Sequence, residues 1–446
     1  MSAVQPELQP LSPDPVSGAA PDVWPLPKRF LFRFAFCYLL LYTSPRIEHS
    51  SILGHLPGGD WITKPYIELW KKIVPWVAIH AFHQSGRAVT YFPTGSGDTT
   101  LDYVQAFCFL VVAATAALVW SVLDRKSTDH RRLHAWLRIL VRYTLAVTML
   151  SYGFAKVFPL QFRPTPFYRL IEPFGEFSPM GALWSFMGGS QPYTMISGAV
   201  EVLGGLLLFT RRTTTLGALV SAVALANVGA MNFCYDVPVK LYSSHLLFMA
   251  VLLLGPDLRR LVDVFLRNRP AAPADLSAPA FTRRGLRIAA VAVQICFVGW
   301  VLFDQVSSGW KAYRQAYIHP ARPPLYGLYE VETFTRNGQS LPPLVTDPER
   351  WGKVAVDFPG LLVVRTTNGS TRYFGSEYDI GKSTVALASE NNKSLFAYSR
   401  PDPDGVLLEG SLGSDRLSIR LQRIDTSKFL LSSRGFHWLQ EFPFNR

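Results

Sequence analysis

Seven stretches of the chain are apolar over about the length that a helix needs to cross a bilayer. They are Pro27 to Ser44, Leu101 to Leu123, Trp136 to Phe158, Gln191 to Thr210, Thr214 to Phe233, Leu241 to Leu258 and Leu286 to Asp304. A spanning helix takes roughly 20 residues, because each residue rises 1.5 Å across a hydrocarbon core of about 30 Å. The pattern therefore predicts an α-helical integral membrane bundle with about seven transmembrane helices.

From about Tyr326 onward, apolar and polar residues alternate with a period of two, which is typical of strands with one buried face. Turn signals such as Asn337-Gly338 and Asn368-Gly369 separate the alternating segments. Roughly eight short strands at regular spacing, without helices between them, favour an up-and-down barrel or a two-sheet sandwich. We predict a C-terminal all-β domain, with a lipocalin-like barrel as the first expectation and a sandwich as the alternative.

These patterns divide the chain into six segments. We expect a disordered tail at 1–27, two N-terminal transmembrane helices with a long outer loop at 28–135, a four-helix transmembrane unit at 136–258, a basic linker at 259–285, a seventh transmembrane helix at 286–304 and the all-β domain at 320–446. Within the outer loop, Trp61 to Phe92 carries a short apolar run interrupted by Pro75. Its length favours an interfacial helix or re-entrant lid, and a true crossing is the alternative.

The distribution of Lys and Arg predicts the orientation of the helices. The chain has 446 residues and a formal net charge of +12, and its basic residues gather at 124–142, at 211–212 and at 259–287. All three segments fall on one side of a seven-helix bundle, so the positive-inside rule predicts a cytoplasmic N-terminus and an all-β domain on the outer side. No basic stripe with interleaved stacking aromatics is present in the sequence, which argues against nucleic-acid binding and leaves the lipid bilayer as the expected partner.

The cysteines and histidines give no pattern typical of a metal site. The four cysteines lie within or at the edge of apolar stretches, and none is spaced Cys-x-x-Cys. Two histidine pairs, His80 with His83 and His130 with His134, lack neighbouring cysteine or acidic ligands. We therefore predict no metal site.

Ionisable residues inside the apolar stretches are the strongest candidates for chemistry, because a charge at the bilayer centre costs at least about 2.5 to 3.5 kcal/mol. Arg142 and Lys156 lie on the third predicted helix, and a helical repeat brings them to within about 40° of one face. Glu201 lies near the middle of the fourth helix and falls between them in depth. Two interpretations stay open, a buried salt bridge with either cation that fixes helix register, or a carboxylate that handles protons or binds a ligand.

The turn between the fifth and sixth helices carries a second group of polar residues. Asp236, Lys240 and His245 lie there around Pro238. One interpretation is a capped turn with an Asp236 to Lys240 ion pair and a hydrogen-bonded His245. The other is a ligand-binding pocket on the outer side. The residues of that hypothesis are Arg142, Lys156, Glu201, Asp236, Lys240 and His245.

One part of the chain resembles a known family. The third helix reads Arg142-Tyr-Thr-Leu-Ala-Val-Thr-Met-Leu-Ser-Tyr-Gly153-Phe-Ala-Lys156, and the fourth contains Glu201-Val-Leu-Gly204-Gly205. This order resembles the DoxX-like group of bacterial membrane proteins, which carry an Arg and a Gly-x-x-Lys on one helix and a Glu with a glycine pair on the next. The resemblance covers roughly 142–258 and implies a four-helix unit of a bacterial membrane protein. Together with the orientation that the basic residues predict, it places this unit in the inner membrane and the all-β domain in the periplasm.

The resemblance also implies a function, since members of that group are linked to thiosulfate:quinone oxidoreductase as a membrane subunit. The first hypothesis is accordingly a redox-associated protein whose periplasm-facing pocket takes a quinone or a small sulfur compound. The sequence carries no evident cofactor motif, so quinone is the only cofactor it suggests, and enzymatic activity is left open. The second hypothesis is a non-enzymatic envelope protein whose β-barrel binds a lipid, another small molecule or a partner protein.

Overall fold

The computed structural model describes residues 23–45, 52–55, 58–92, 94–127, 129–274, 283–389 and 392–445. The helices of these residues are α1 Leu26–Thr43, α2 Asp60–His80, α3 Thr100–Leu123, α4 Arg131–Val157, α5 Phe167–Leu170, α6 Pro179–Gly189, α7 Gln191–Leu208, α8 Thr214–Cys234, α9 Lys240–Leu254, α10 Leu258–Phe265, α11 Arg284–Tyr313 and α12 Leu430–Ser433. Most of the predicted disordered tail, 1–22, lies outside the described residues.

Helices lie at all seven predicted apolar stretches. Among the described residues, five helical segments are long and apolar enough to cross a membrane, namely Thr100–Leu123, Arg131–Val157, Thr214–Cys234, Lys240–Phe265 and Arg284–Ile318. The helices α1 and α7 have 18 residues each, which is the short end of the spanning range. The count of seven transmembrane helices therefore stays a prediction.

The bounds of two predicted segments stay predictions. The last apolar stretch, predicted as a transmembrane helix at 286–304, lies within α11, whose helical backbone continues to Tyr313. The basic linker predicted at 259–285 begins with most of the amphipathic helix α10. Its residues 275–282 lie outside the described part of the chain.

The segment with two open interpretations, Trp61 to Phe92, is helical over much of its length. Helix α2 runs through both Pro65 and Pro75 and buries one stripe that includes Trp70 and Val74. The Trp70 ring meets Phe109 of α3 edge-on, with ring centroids 4.8 Å apart. The stripe fixes α2 against α3, and whether α2 is a lid or a crossing helix stays a prediction.

The C-terminal domain is a closed antiparallel barrel. Its strands are β1 Gly327–Arg336, β2 Gln339–Ser340, β3 Trp351–Val356, β4 Gly360–Thr366, β5 Thr371–Asp379, β6 Thr384–Ser389, β7 Asn392–Ser399, β8 Gly405–Leu412 and β9 Asp415–Arg423. Strand β2 pairs only with the end of β1, and the other eight follow one another in chain order until β9 pairs with β1. The expected barrel is confirmed, and the sandwich alternative is wrong because the described strands form one sheet that the β1 to β9 pairing closes.

The barrel interior is filled by side chains that alternate along the strands. Tyr329, Phe334, Trp351 and Phe396 are its largest members, and each is at most 1% exposed. Eight strands give an interior just wide enough for such side chains. The predicted Asn337-Gly338 turn joins β1 to β2, and both residues have positive φ, 52° and 82°, as a type I′ hairpin requires.

The described chain forms two compact units. The first holds α1 to α3 and α4 up to Val141, and the second holds α4 from Arg142 onward, the later helices and the barrel. All residues of the ligand-binding hypothesis belong to the second unit.

Candidate functional site

Helices α4 and α7 touch backbone to backbone through glycines. A Cβ atom added at Gly198 would lie 2.6 Å from the carbonyl oxygen of Gly153 and 2.6 Å from the Cβ of Lys156. One added at Gly205 would lie 2.9 Å from the carbonyl oxygen of Ala146. Small residues at these positions let two helices approach more closely than other side chains permit, which is the usual packing of membrane helices.

The opposite side of α7 packs in the same way against α8. A Cβ atom at Gly204 would lie 2.7 Å from the hydroxyl of Ser221, and one at Gly217 would lie 2.9 Å from the Cβ of Leu207. In the glycine pair noted in the sequence, Gly204 therefore packs against α8 and Gly205 packs against α4. Helix α7 is held between α4 and α8 by backbone contact.

A buried ion pair lies within the α4 to α7 contact. The Lys156 Nζ lies 3.0 Å and 2.7 Å from the two carboxylate oxygens of Glu201, and both side chains are 5% exposed. Gly153 precedes Lys156 by three residues and Gly198 precedes Glu201 by three, so each glycine shares a helix face with the charged residue. The glycines bring the two helices close enough for the short charged contact.

Arg142, the other cation that the sequence offered to Glu201, binds elsewhere. Its Nη1 donates to the Thr214 hydroxyl at 3.3 Å, at the start of α8, and its guanidinium lies 5.2 Å from the ring centroid of Tyr143. Of the two salt bridges open to Glu201 from sequence, the structure contains the one with Lys156.

The polar turn between α8 and α9 forms separate local contacts. Asp236 is in the left-handed region, with a φ of 51°, and its exposed carboxylate accepts from the Lys240 Nζ at 2.9 Å. His245 lies one helical turn into α9, where its Nδ1 is 2.7 Å from the carbonyl oxygen of Leu241. These contacts match the capped-turn interpretation, while the ligand-binding hypothesis stays a prediction.

A residue from outside this turn also binds it, and the sequence pattern did not predict that contact. Asp98 accepts from the backbone N–H groups of Lys240 and Leu241 at 2.8 Å and 2.9 Å, which are the first two residues of α9. A carboxylate there satisfies donors that the helix leaves unpaired and complements its dipole. The helix that directly follows Asp98 in the chain is capped by Thr99, which forms a capping box with Asp102. No local signal links Asp98 to a helix that begins 142 residues later.

The barrel carries a cavity that sequence reasoning also missed. It has a volume of about 590 Å³ and lies at the end of the barrel where β1 finishes and β9 begins. Aromatic side chains that line it are Phe334, Trp351, Tyr373 and Phe374, and polar ones are Arg336, Glu349, Arg372, Ser389, Asn392 and Asp415. Cavities of this size with an apolar floor and a few polar groups are typical of small-molecule sites.

The charged groups around this cavity differ in how fully they are paired. Arg372 binds both carboxylate oxygens of Glu349, at 3.0 Å and 2.6 Å, and holds the pKa of Glu349 below its usual value. The buried Arg336 Nε lies 3.7 Å from the Asp415 carboxylate, which is beyond hydrogen-bond distance. Within the described part of the chain, the buried indole N–H of Trp351 has no hydrogen-bond partner. The cavity thus keeps hydrogen-bonding capacity at Arg336 and Trp351.

The loop between α4 and α6 binds the outer wall of the barrel. The Asp357 carboxylate, between β3 and β4, accepts from the backbone N–H groups of Phe167 and Tyr168 at 2.6 Å and 3.3 Å. Burial raises the pKa of Asp357, and these two hydrogen bonds oppose that rise. Arg365 adds a paired contact to Glu176, with nitrogen to oxygen distances of 2.9 Å and 3.0 Å. The barrel is therefore joined to this loop as well as to α11.

The chain is similar to the uncharacterized protein YwoB of Bacillus subtilis (strain 168). The two are 31% identical over 138 residues, which cover 29% of this chain and 81% of YwoB. No family model matches the chain, and no solved structure matches it. The extent of the similarity shows that the chain belongs to the same family as the uncharacterized protein YwoB.

Proposed function

We propose that the protein is embedded in the bacterial inner membrane by its helices, with the N-terminus in the cytoplasm and the barrel in the periplasm. Five apolar helical segments support membrane insertion, as do the apolar side chains that the helices leave exposed. Examples are Val223 of α8 and Val293 of α11, which are 71% and 68% exposed. The basic segments at 124–142, 211–212 and 259–287 support the orientation.

We infer that this protein is a non-enzymatic envelope protein whose barrel binds an amphipathic small molecule such as a lipid. The observation that carries the proposal is the cavity of about 590 Å³ at the end of the barrel. Because the barrel interior behind it is filled by a continuous aromatic and aliphatic core, the ligand is held at the mouth and not within the barrel.

The chemistry of the mouth suits a ligand with an apolar body and a polar or anionic head. Trp351 and Phe374, which pack against each other with ring centroids 5.9 Å apart, offer apolar surface. Among the described residues, the buried Arg336 Nε has no hydrogen-bond partner and lies 3.7 Å from the Asp415 carboxylate. A buried donor without a hydrogen bond costs about 1 to 3 kcal/mol. An acceptor on the ligand head would remove that cost, whereas Arg372 is already engaged by Glu349.

Native mass spectrometry of the full-length protein, released from nanodiscs after incubation with oleate or phosphatidylglycerol, tests this proposal. We expect a bound ligand on the wild-type protein and its loss in Arg336→Ala. The matched control is Arg416→Ala, because Arg416 is exposed on the same rim of β9 but does not line the cavity. Wild-type protein without either ligand, or equal retention by the two variants, would contradict the proposal.

A second candidate function follows from the buried Lys156 to Glu201 pair, since ionisable residues within membrane helices commonly mark ion or substrate paths. In this proposal a DoxX-like bundle takes part in redox chemistry, binds a quinone or a small sulfur compound, and uses Glu201 to exchange protons. Purified wild-type protein would then contain bound quinone and would catalyse the reduction of quinone by thiosulfate. The Glu201→Gln variant would lose this activity. Wild-type protein without bound quinone and without activity would exclude this candidate.

A further inference from the structure

The segment after the last helix presents an unusual density of exposed apolar side chains. It follows α12 and runs over 434–444, and we call it the C-terminal segment. Its side chains Phe436, Trp438, Leu439 and Phe442 are between 76% and 89% exposed. Scattered apolar residues on a surface are ordinary, but four within seven positions form a patch that calls for a partner.

The C-terminal segment is held in a defined loop. The guanidinium of Arg434 lies 3.8 Å from the ring centroid of Phe444, and its Nη2 donates to the Gln440 side chain at 3.2 Å. Phe436 and Trp438 meet edge to face with centroids 5.0 Å apart. Arg434 thus joins the two ends of the loop, and the aromatic side chains between them are exposed.

This loop begins beside the outer ends of two bundle helices. A Cβ atom added at Gly189, the last residue of α6, would lie 3.1 Å from the Cδ1 of Leu431 in α12. Helix α7 starts two residues after Gly189, at Gln191. The C-terminal segment therefore starts from a helix, α12, that contacts the end of α6 next to the start of a helix that we place in the membrane.

Other aromatic side chains are exposed at the same helix ends. Helix α6 buries Leu183 and Met187 and leaves Phe186 61% exposed. Phe186 packs edge to face against Tyr193 of α7, with centroids 5.6 Å apart, and Tyr193 is itself 47% exposed. Aromatic residues at the ends of membrane helices form a belt at the level of the lipid head groups.

We propose that the C-terminal segment is an interfacial anchor that inserts Phe436, Trp438, Leu439 and Phe442 into the head-group region of the outer leaflet. The partner is a lipid surface, because aromatic and leucine side chains next to a membrane helix end are the residues that partition there. The inference rests on the proposed membrane orientation. It assigns the barrel a second attachment to the bilayer in addition to α11.

Site-specific fluorescence in reconstituted full-length protein tests the anchor. The four cysteines are free, so they can be replaced by alanine, and Trp438→Cys can then be labelled with an environment-sensitive nitrobenzoxadiazole dye. The vesicles consist of phosphatidylethanolamine and phosphatidylglycerol, with or without spin-labelled lipid. We expect blue-shifted emission that the spin-labelled lipid quenches. Leu439→Cys is a second probe in case one position alters the loop.

The matched control is Lys382→Cys in the turn between β5 and β6, where the side chain is 80% exposed. We expect neither a blue shift nor quenching at this position. Flotation of the same vesicles separates the two proposals. Protein that floats but gives control-like emission at both 438 and 439 overturns the anchor alone, whereas protein that does not float overturns membrane insertion and the anchor together.

Discussion

The helical bundle and the barrel place polar and apolar side chains in opposite ways. In the contact between α4 and α7, charged Lys156 and Glu201 are buried and the helices meet through glycines. In the barrel, large apolar residues fill the interior, and ion pairs such as Lys393 with Glu377 lie on the exposed surface. The bundle thus buries a charged pair and leaves apolar side chains exposed, whereas the barrel buries apolar side chains and leaves charged pairs exposed.

Lipid around the helices and water around the barrel would together produce this difference. In water, burying large side chains stabilises a fold and charges stay outside, as in the barrel. In lipid, apolar side chains gain nothing by leaving the surface, so helices associate through close backbone packing and polar contacts. One chain using both arrangements is expected if its helices lie in a bilayer and its barrel lies in water.

The largest predicted effect comes from breaking the buried ion pair. Glu201→Gln leaves the Lys156 ammonium buried without its counter-charge, which we expect to lower the free energy of unfolding by about 3 to 5 kcal/mol. Unfolding of the full-length protein in mixed micelles, titrated with sodium dodecyl sulfate, measures this change.

Two controls accompany this prediction. Glu377→Gln breaks the exposed barrel pair and should change stability little, because exposed ion pairs are weak. The double variant Lys156→Met with Glu201→Leu should recover most of the lost stability, since replacing both partners removes the uncompensated charge. Equal losses at positions 201 and 377 would contradict the distinction between the two regions.

A somewhat smaller effect is expected from separating the glycine-packed helices. Gly198→Leu would force α7 away from α4, because even a Cβ there meets the Gly153 carbonyl oxygen at 2.6 Å. We expect a loss of about 1 to 3 kcal/mol in the same unfolding assay, as in other overpacked sites. Gly229→Leu in α8 is the matched control, because a Cβ at Gly229 has nothing within 4 Å. Equal losses at the two glycines would refute close backbone packing as the cause.

The smallest predicted effect concerns pH and the loop bound to the barrel. Burial raises the pKa of Asp357 above its ordinary 3.8, so its contribution to stability is full below that pH and falls as the pH rises through the folded pKa. Asp357→Asn removes this dependence. We therefore expect the free energy of unfolding of the wild type to exceed that of the variant by about 1 kcal/mol or less at low pH. This difference should shrink as the pH rises, and thermal unfolding followed by circular dichroism measures it.

Asp425→Asn is the opposite control for the pH measurement. The side chain and the backbone N–H of Ser427 hold the pKa of Asp425 below its ordinary 3.8. The stability that Asp425 contributes is therefore present above that pH and is lost as the pH falls through the folded pKa. For each variant, the difference in free energy of unfolding from the wild type is plotted against pH. If the two plots have slopes of the same sign, burial is not the main influence on the pKa of Asp357.

Features that depend on local pattern were predictable from the sequence. The lengths of the apolar stretches predicted every long helix of the bundle except α2, for which two interpretations were open. The alternation of apolar and polar residues, together with the Asn-Gly turns, predicted the barrel strands. The burial of Lys156 and Glu201 followed from the cost of charge in lipid, although the choice between Lys156 and Arg142 as partner did not.

What could not be predicted depends on contacts between distant segments. The pairing of β1 with β9 decides between barrel and sandwich, and both have the same strand pattern. The use of Asp98 at the start of α9 and of Asp357 at the α4 to α6 loop joins residues more than 140 positions apart. The cavity at the barrel mouth is likewise lined by residues from several strands. These residues lie close together only because the barrel is closed.

The orientation of the bundle and the barrel can be measured through the accessibility of single cysteines in an otherwise cysteine-free protein, using a membrane-impermeant maleimide on spheroplasts. The probes are Lys393→Cys on the exposed surface of β7 and Arg267→Cys in the basic linker, where both native side chains are more than half exposed. A bundle that spans the inner membrane with its barrel outside predicts labelling at position 393 in intact spheroplasts and at position 267 only after lysis. Labelling of both positions before lysis, or of position 393 only after lysis, would show that the barrel and the basic linker do not lie on opposite sides of the membrane.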